Sequence, residues 1–187
     1  MDVEEKKPKI FLIAGKARHG KDTVAEMILD EYNDRNKKGI NLALGSYIKM
    51  YAQKISNWDG NDETKPRELL QYLGTDVIRK KIDDLFFVNR ICEDIKVYSY
   101  FFDIITVSDV RFVCEIEIPE AMFENVIKIK VERLNVETNL TEKEKKHQSE
   151  IDLDNYTDYD YVIKNDGSLD ELKNKVHHII EVIENEH

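Results

Sequence analysis

The 187 residues carry 28 Lys and Arg against 38 Asp and Glu, a net charge of -10, which argues against a general nucleic-acid or anionic-membrane surface, because both need Lys and Arg to displace counterions. The length fits one domain with a sizeable core; the start from Met1 to Lys9 lacks the apolar stretch of a signal peptide, and no later segment is long and apolar enough to span a bilayer. Cys92 and Cys114 make neither a disulfide framework nor a four-ligand zinc site, so the expectation is a cytoplasmic protein with reduced thiols that handles small polyanions.

Residues 9–15 are an apolar run suited to the centre of a parallel sheet, ending in Gly15, and Gly20-Lys21 follows. Gly, four residues and Gly-Lys is the phosphate-loop pattern, here with Asp22 where Ser or Thr is usual and Thr23 one place late. Glycines let the backbone turn several N–H groups inward as a nest for phosphate oxygens, and the start of a helix adds partial positive charge. The candidate phosphate site is therefore Gly15, Lys16, Ala17, Arg18, His19, Gly20, Lys21, Asp22 and Thr23, with Lys21 reaching the outer phosphates as a point charge. Asp22 can offer oxygen to a hard cation such as Mg²⁺. The competing reading is a Gly-rich turn without a ligand, but Val24, Ile28, Leu29 and Tyr32 at helical spacing behind the loop supply the context the motif demands.

The helix over 20–35 ends at Asn36-Lys37-Lys38-Gly39, a short strand covers 40–44, residues 47–55 read as helical and 56–65 as a loop. Pro66 stands at the first turn of a helix over 67–81, where Leu69, Leu70, Leu73, Val77 and Ile78 recur at helical spacing. Arg67, Gln71, Thr75 and Arg79 share a face beside that stripe, either a solvated surface or a wall suited to a phosphorylated, partly polar small molecule. A further helix covers 83–98, with Leu85, Phe86, Phe87 and Val88 as core or as a subunit contact. The strand over 102–107 ends on Ser108-Asp109-Val110-Arg111; Asp109 is placed for a second acidic contact to Mg²⁺, and Arg111 for an anionic substrate.

A short helix is expected over 115–123 despite Pro119, then a strand over 126–131 that leads into Glu132-Arg133. The polar stretch 134–159, with a charged helical run over 142–146, is long enough to fold over a ligand as a lid, Arg133 serving the transferring group. His147, Ser149 and Glu150 read as a hinge or a contact, an exposed His being the default. A last strand covers 161–163, Asn165-Asp166-Gly167 turns, and Ser168 caps a final amphipathic helix. Five strands alternating with helices predict an α/β fold: a five-stranded parallel sheet, helices on both faces, and a ligand at the carboxyl ends of the strands. The whole chain, 1–187, then forms one domain, with a core of 9–46, 99–133 and 160–187, acceptor-binding helices in 47–98 and a lid in 134–159.

Gly20-Lys21-Asp22-Thr23 resembles the phosphate loop of phage-type deoxynucleoside monophosphate kinases, and the animal phosphomevalonate kinases carry a similar form. The resemblance continues in Arg67-Glu68-Leu69-Leu70-Gln71-Tyr72-Leu73-Gly74-Thr75-Asp76, Ser108-Asp109-Val110-Arg111-Phe112, His147-Gln148-Ser149-Glu150 and Tyr161 to Leu169. It departs at Val113-Cys114-Glu115, where the family usually has Pro-Asn-Glu, and at Gly45-Ser46-Tyr47-Ile48-Lys49, a loose match to Phe-Ala-x-x-Leu-Lys. The resemblance implies a P-loop nucleoside monophosphate kinase-like fold and transfer of the γ-phosphoryl of ATP to a nucleoside or deoxynucleoside monophosphate, with ATP and Mg²⁺ as cofactors. Lys21, Asp22, Asp109 and Arg133 would then be catalytic, with Asp22 and Asp109 as the metal ligands, and Asn165 and Gly167 would lie beside the adenine. Ser46, Lys49, Arg67, Gln71, Thr75, Arg79 and Arg111 would meet the acceptor, and a homodimer is compatible. The alternatives are a kinase for another phosphorylated molecule, of the dephospho-coenzyme A or phosphomevalonate type, and a non-catalytic ATP-binding regulatory module.

Overall fold

Strand β1 (Lys9–Ala14) has no polar face after its first residue, and in the computed structural model, which describes residues 4–134, 141 and 146–185, it is the central strand of a five-stranded sheet. With β2 (Gly39–Leu42), β3 (Ile104–Val110), β4 (Val126–Glu132) and β5 (Tyr161–Lys164), the order is β2-β3-β1-β4-β5 and every pairing is parallel. Side chains alternate along a strand, so the two faces of β1 feed two cores. Phe11 and Ile13 pack with Val24, Ile28 and Tyr32 of α1 (Lys21–Asp34) and with Leu172, Val176 and Ile180 of the C-terminal helix (Leu169–Asn185). Ile10 and Leu12 pack with Phe87, Val88, Ile91 and Ile95 of the helix Phe86–Tyr98 and with Ile116 of the helix Cys114–Met122. In chain order the remaining helices are α2 (Gly45–Ser56), α3 (Arg67–Gln71), α4 (Phe86–Tyr98), α5 (Cys114–Met122), α6 (Gln148–Ile151) and α7 (Leu169–Asn185).

The helices that follow β1 and β3 leave the sheet on opposite faces. A crevice therefore opens between these two strand ends, the position at which open α/β sheets bind ligands. The start of α7 is fixed by a reciprocal cap: the Glu171 N–H donates to Ser168 Oγ at 3.2 Å, and the Ser168 N–H donates to a Glu171 carboxylate oxygen at 3.0 Å.

Some boundaries differ from those the sequence predicts. Strand β3 continues to Val110, which pairs with Ala14, so Ser108 and Asp109 lie inside the strand: the ladder to β1 persists as far as the phosphate loop. Helix α2 takes in Gly45 and Ser46. The expected helix over 67–81 begins as α3 and continues as a π-helix over Tyr72–Ile82. Its wide i→i+5 turns suit the buried Leu73 and Ile78, which stand five apart, and the Asp83 N–H closes the end on the Ile78 carbonyl at 2.9 Å. The Leu85–Val88 run is core: Phe87 and Val88 are buried, and Leu85 and Phe86 pack against the same cluster. Of the expected charged helix over 142–146, residues 142–145 lie outside the described residues. Among the described residues, no helix is long and apolar enough to cross a membrane.

Candidate active site

The phosphate loop is shaped by two glycines. Gly15 has φ +150 and a Cβ there would run into the Val131 carbonyl, while Gly20 has φ +94 and a Cβ would meet the Asn165 amide, so both positions exclude side chains. The loop is fastened from beneath: Asn165 Nδ2 donates to the His19 carbonyl at 2.9 Å, and the His19 ring lies 3.1 Å from the Val131 carbonyl. Lys21 is buried, and its ammonium donates to the Lys16 carbonyl at 3.0 Å. Burial, then the nearby Arg111 guanidinium, push its pKa down to about 8, against the pull of Asp109, Asp22 and Glu150. Asp22, exposed, accepts from Ser108 Oγ at 2.7 Å, and Thr23 behind it is half-buried.

On the β2 side of the crevice, Asp109 accepts from the Leu44 and Gly45 N–H groups, each at 2.8 Å, and so holds the turn that starts α2. Burial raises its pKa, opposed by those two N–H groups. Beyond it lies a cavity of about 260 Å³ whose wall includes Arg67, Gln71, Thr75, Arg79, Asp109 and Arg111, so the four residues singled out on the third predicted helix do converge. Ser46 and Lys49 are exposed and stand off this wall, which Gly45 joins instead. Arg79 is tightly engaged: it donates to Glu115 at 2.5 Å and to the Asp84 carbonyl at 2.9 Å, with its guanidinium 3.8 Å from the Phe112 ring centroid. The second Glu115 oxygen accepts from the Arg111 and Phe112 N–H groups at 2.8 and 3.1 Å. Burial pushes the Glu115 carboxyl up to about 7, against Arg79 and those donors.

On the β4 side, a second cavity of about 250 Å³ is bordered by Gly15, Lys16 and His19 of the loop and by Arg133 and Leu134. The two cavities share Arg111, Ser149 and Glu150. Arg133 is exposed; Gly167 is exposed and off both walls, and the buried Asn165 supports the loop. His147 is no bystander: its Nε2 lies 3.2 Å from Thr75 Oγ1, which corrects the default reading of an exposed His. Glu150 pairs with Arg111 and accepts from the Ala17 N–H at 3.4 Å, while Asp154 pairs with Lys16 at 2.7 Å. Sequence reasoning missed Glu115 and Asp154 altogether. The one signal for Glu115 was its place at the end of Val113-Cys114-Glu115, where the resembling pattern also ends in Glu.

For a divalent cation the crevice offers oxygen only: the Asp22 and Asp109 carboxylates and the Ser108 hydroxyl that links Asp22 to β3. Among the described residues, no group of three or more His, Cys, Asp and Glu could hold a metal by itself. The donors present fit Mg²⁺, which binds through one or two carboxylates and completes its shell with phosphate oxygens and water.

A phosphate loop from β1 to α1, an acidic residue on the adjacent β3 and cavities on either side of an arginine define a P-loop kinase-type fold. Solved structures agree on the fold: the APS kinase of Mycobacterium tuberculosis in complex with AMPPNP and APS (TM-score 0.53, 11% identity, 94% of this chain and 98% of that one) and a sugar kinase from Janibacter sp. (0.55, 10%, 93% and 95%). The family model described as deoxynucleotide monophosphate kinase matches residues 36–176, and the chain belongs to that family. It is 36% identical over 121 residues to the deoxynucleotide monophosphate kinase of Escherichia phage RB69, covering 64% of this chain and 46% of that one. To that of Enterobacteria phage T4 it is 30% identical over 153 residues, covering 81% and 58%. The chain thus spans about half the length of the curated relatives it matches.

Proposed function

We propose that this chain moves the γ-phosphoryl of MgATP to a deoxynucleoside monophosphate, in the cytoplasm, where its two free cysteines stay reduced. The observation that carries the reading is the meeting of the two cavities at Arg111, with the phosphate loop on one side and the Arg67, Gln71 and Thr75 wall on the other. Family membership supports the deoxynucleotide acceptor, and the AMPPNP bound by the APS kinase of like fold supports the donor.

On this reading the N–H groups from Gly15 to Thr23 and the Lys21 ammonium hold the donor phosphates, and Asn165 and Gly167 border the adenine. The acceptor attacks with a phosphate oxygen that is already ionised, so no strong general base is required. Arg111 aligns that phosphate on the shared wall; Arg67, Gln71 and Thr75 take the rest of the acceptor, and Arg79 acts through Glu115, which fixes the Arg111 backbone. Of the expected lid over 134–159, residues 135–140 and 142–145 lie outside the described residues; Arg133 stands at its base and would meet the transferring group. Mg²⁺, held by Asp22 and Asp109 with phosphate oxygens, would neutralise charge as it develops. Catalysis then comes from alignment and electrostatics in a crevice that excludes water.

The test is ADP release from MgATP with each common ribo- and deoxyribonucleoside monophosphate, using Lys21→Ala as the blank. Release that depends on a deoxynucleotide and vanishes in the variant is the expected result. No acceptor-dependent release, with ATP still bound, would make the chain a nucleotide-binding module.

A further inference from the structure

We propose that Glu150 is a built-in stand-in for the phosphoryl group: its carboxylate clasps the donor loop and the acceptor arginine together, and either nucleotide must displace it, which couples the two binding events. The proposal rests on the function proposed above and adds to it a regulation of the same site.

The Glu150 side chain is only 12% exposed. One of its oxygens accepts from the Ala17 N–H of the phosphate loop at 3.4 Å, and the other pairs with the Arg111 guanidinium. An anion that bridges a loop N–H and this arginine meets the same donors that a phosphate oxygen would use in passing from one cavity to the other. The carboxylate stands where the cavities join, since Glu150 lines both. A phosphate and a carboxylate cannot share these donors, because two anions a few ångströms apart in a partly dry crevice repel strongly. Lys21 is likewise satisfied from within, by the Lys16 carbonyl. The site's central cations are thus occupied by protein groups.

The segment that carries Glu150 is pinned on three further sides. His147 meets Thr75 on the acceptor wall at 3.2 Å, Asp152 accepts from the Val113 N–H at 2.9 Å, and Asp154 pairs with Lys16 at 2.7 Å. These contacts reach the donor loop, the acceptor wall and the turn after β3, so the strap reports on both ligands. A donor phosphate that takes the Ala17 N–H dislodges Glu150 and releases Arg111 for the acceptor; an acceptor phosphate on Arg111 clears the loop for the donor. Such coupling is reciprocal by necessity.

The experiment is isothermal titration of the full chain with MgAMPPNP and with each deoxynucleoside monophosphate, alone and with the other ligand saturating, in wild type, Glu150→Ala and Glu150→Gln. Gln keeps the size and loses the charge, so it serves even if Ala unsettles the fold. In wild type each ligand should tighten the other by about 5-fold or more. In the variants each ligand alone should bind more tightly by about the same factor, and the mutual effect should fall towards one. A residue with a purely structural role would instead weaken both. If deoxynucleotides bind but the Gln variant shows neither the gain nor the lost coupling, the stand-in is wrong and the kinase reading survives. If MgAMPPNP binds the variants more tightly while no deoxynucleotide binds any of the proteins, the stand-in holds for the donor loop and the acceptor assignment falls.

Discussion

Arg79 Nη2 lies 2.5 Å from a Glu115 carboxylate oxygen, with the two side chains 12% and 3% exposed, so the wall of the cavity beyond Asp109 is held by an ion pair almost out of water. The same carboxylate accepts the Arg111 and Phe112 N–H groups and thereby sets the backbone from which Arg111 projects. Arg79, from the π-helix, and Arg111, from the end of β3, are therefore one construction, although nothing in the chain between them suggests it.

Replacing Glu115 by Ala leaves two N–H groups without an acceptor and, above about pH 7 where the carboxyl is ionised, a buried guanidinium without its counter-charge. The expected cost is about 3–5 kcal/mol, the usual loss when one partner of a buried pair is removed. Glu115→Gln retains an oxygen for the N–H groups and should lose less. Urea unfolding measures both, and steady-state kinetics of the Gln variant should show a raised KM for the acceptor with little change in KM for MgATP. Equal effects on the two KM values would contradict the division of the site argued above.

Lys21 carries the opposite trade. Its folded pKa, about 8, lies below the ordinary 10.5, so the ligand-free protein is burdened by this buried ammonium at neutral pH. Lys21→Met should stabilise the ligand-free chain, by at most about 3 kcal/mol if the full shift is recovered, while turnover falls by about 100-fold or more. The sign has a second signature. Between pH 8 and 10.5 the folded wild type binds fewer protons at this site than the unfolded chain, so stability rises with pH across that window. Thermal melts across it should show that rise in wild type and lack this contribution in the variant.

The features legible in the sequence are those set by near neighbours. The unbroken apolar run from Ile10 to Ala14 predicts a strand buried on both faces, and Gly15, Gly20 and Lys21 predict a turned, N–H-rich loop before a helix; both need only adjacent residues, and both are found. Arg67, Gln71, Thr75 and Arg79 were recognisable as one face, although the wide turns from Tyr72 to Ile82 were not: Leu69, Leu70, Leu73 and Val77 keep an α-helical period, and only the Leu73 to Ile78 step suits five. The polar stretch around Glu150 and Asp154 reads as a lid with a hinge or contact at His147, Ser149 and Glu150, but composition records charge and not partners, so the stretch does not say what it touches. Its partners, Arg111, Ala17 and Lys16, lie far away in the chain and are brought to it by the sheet order.

Tyr159, on the wall of the second cavity, offers a test of packing. Its hydroxyl is buried and has no hydrogen-bond partner among the described residues, while its ring packs edge-on against Tyr156 with centroids 5.0 Å apart. An unsatisfied buried hydroxyl costs about 1–3 kcal/mol, so Tyr159→Phe, which keeps the ring, should leave stability unchanged or raise it by about 1 kcal/mol. A clear loss of stability on urea unfolding would show that the hydroxyl has a partner after all.

The remaining prediction concerns pH and activity. In the proposed function Lys21 meets the donor phosphates as a cation, yet in the free protein burial and Arg111 bring its pKa down to about 8. Loss of its proton above that value removes the charge that attracts MgATP, so kcat/KM for MgATP, which reports the free enzyme, should decline as pH rises through about 8. Once the donor is bound, several phosphate negative charges stand beside the ammonium and favour its protonated form. The fall in kcat should therefore come at a higher pH than the fall in kcat/KM. Initial rates from pH 6.5 to 10 at low and at saturating MgATP separate the two limbs, and a kcat/KM that stays level through pH 9 would remove Lys21 from the role given to it.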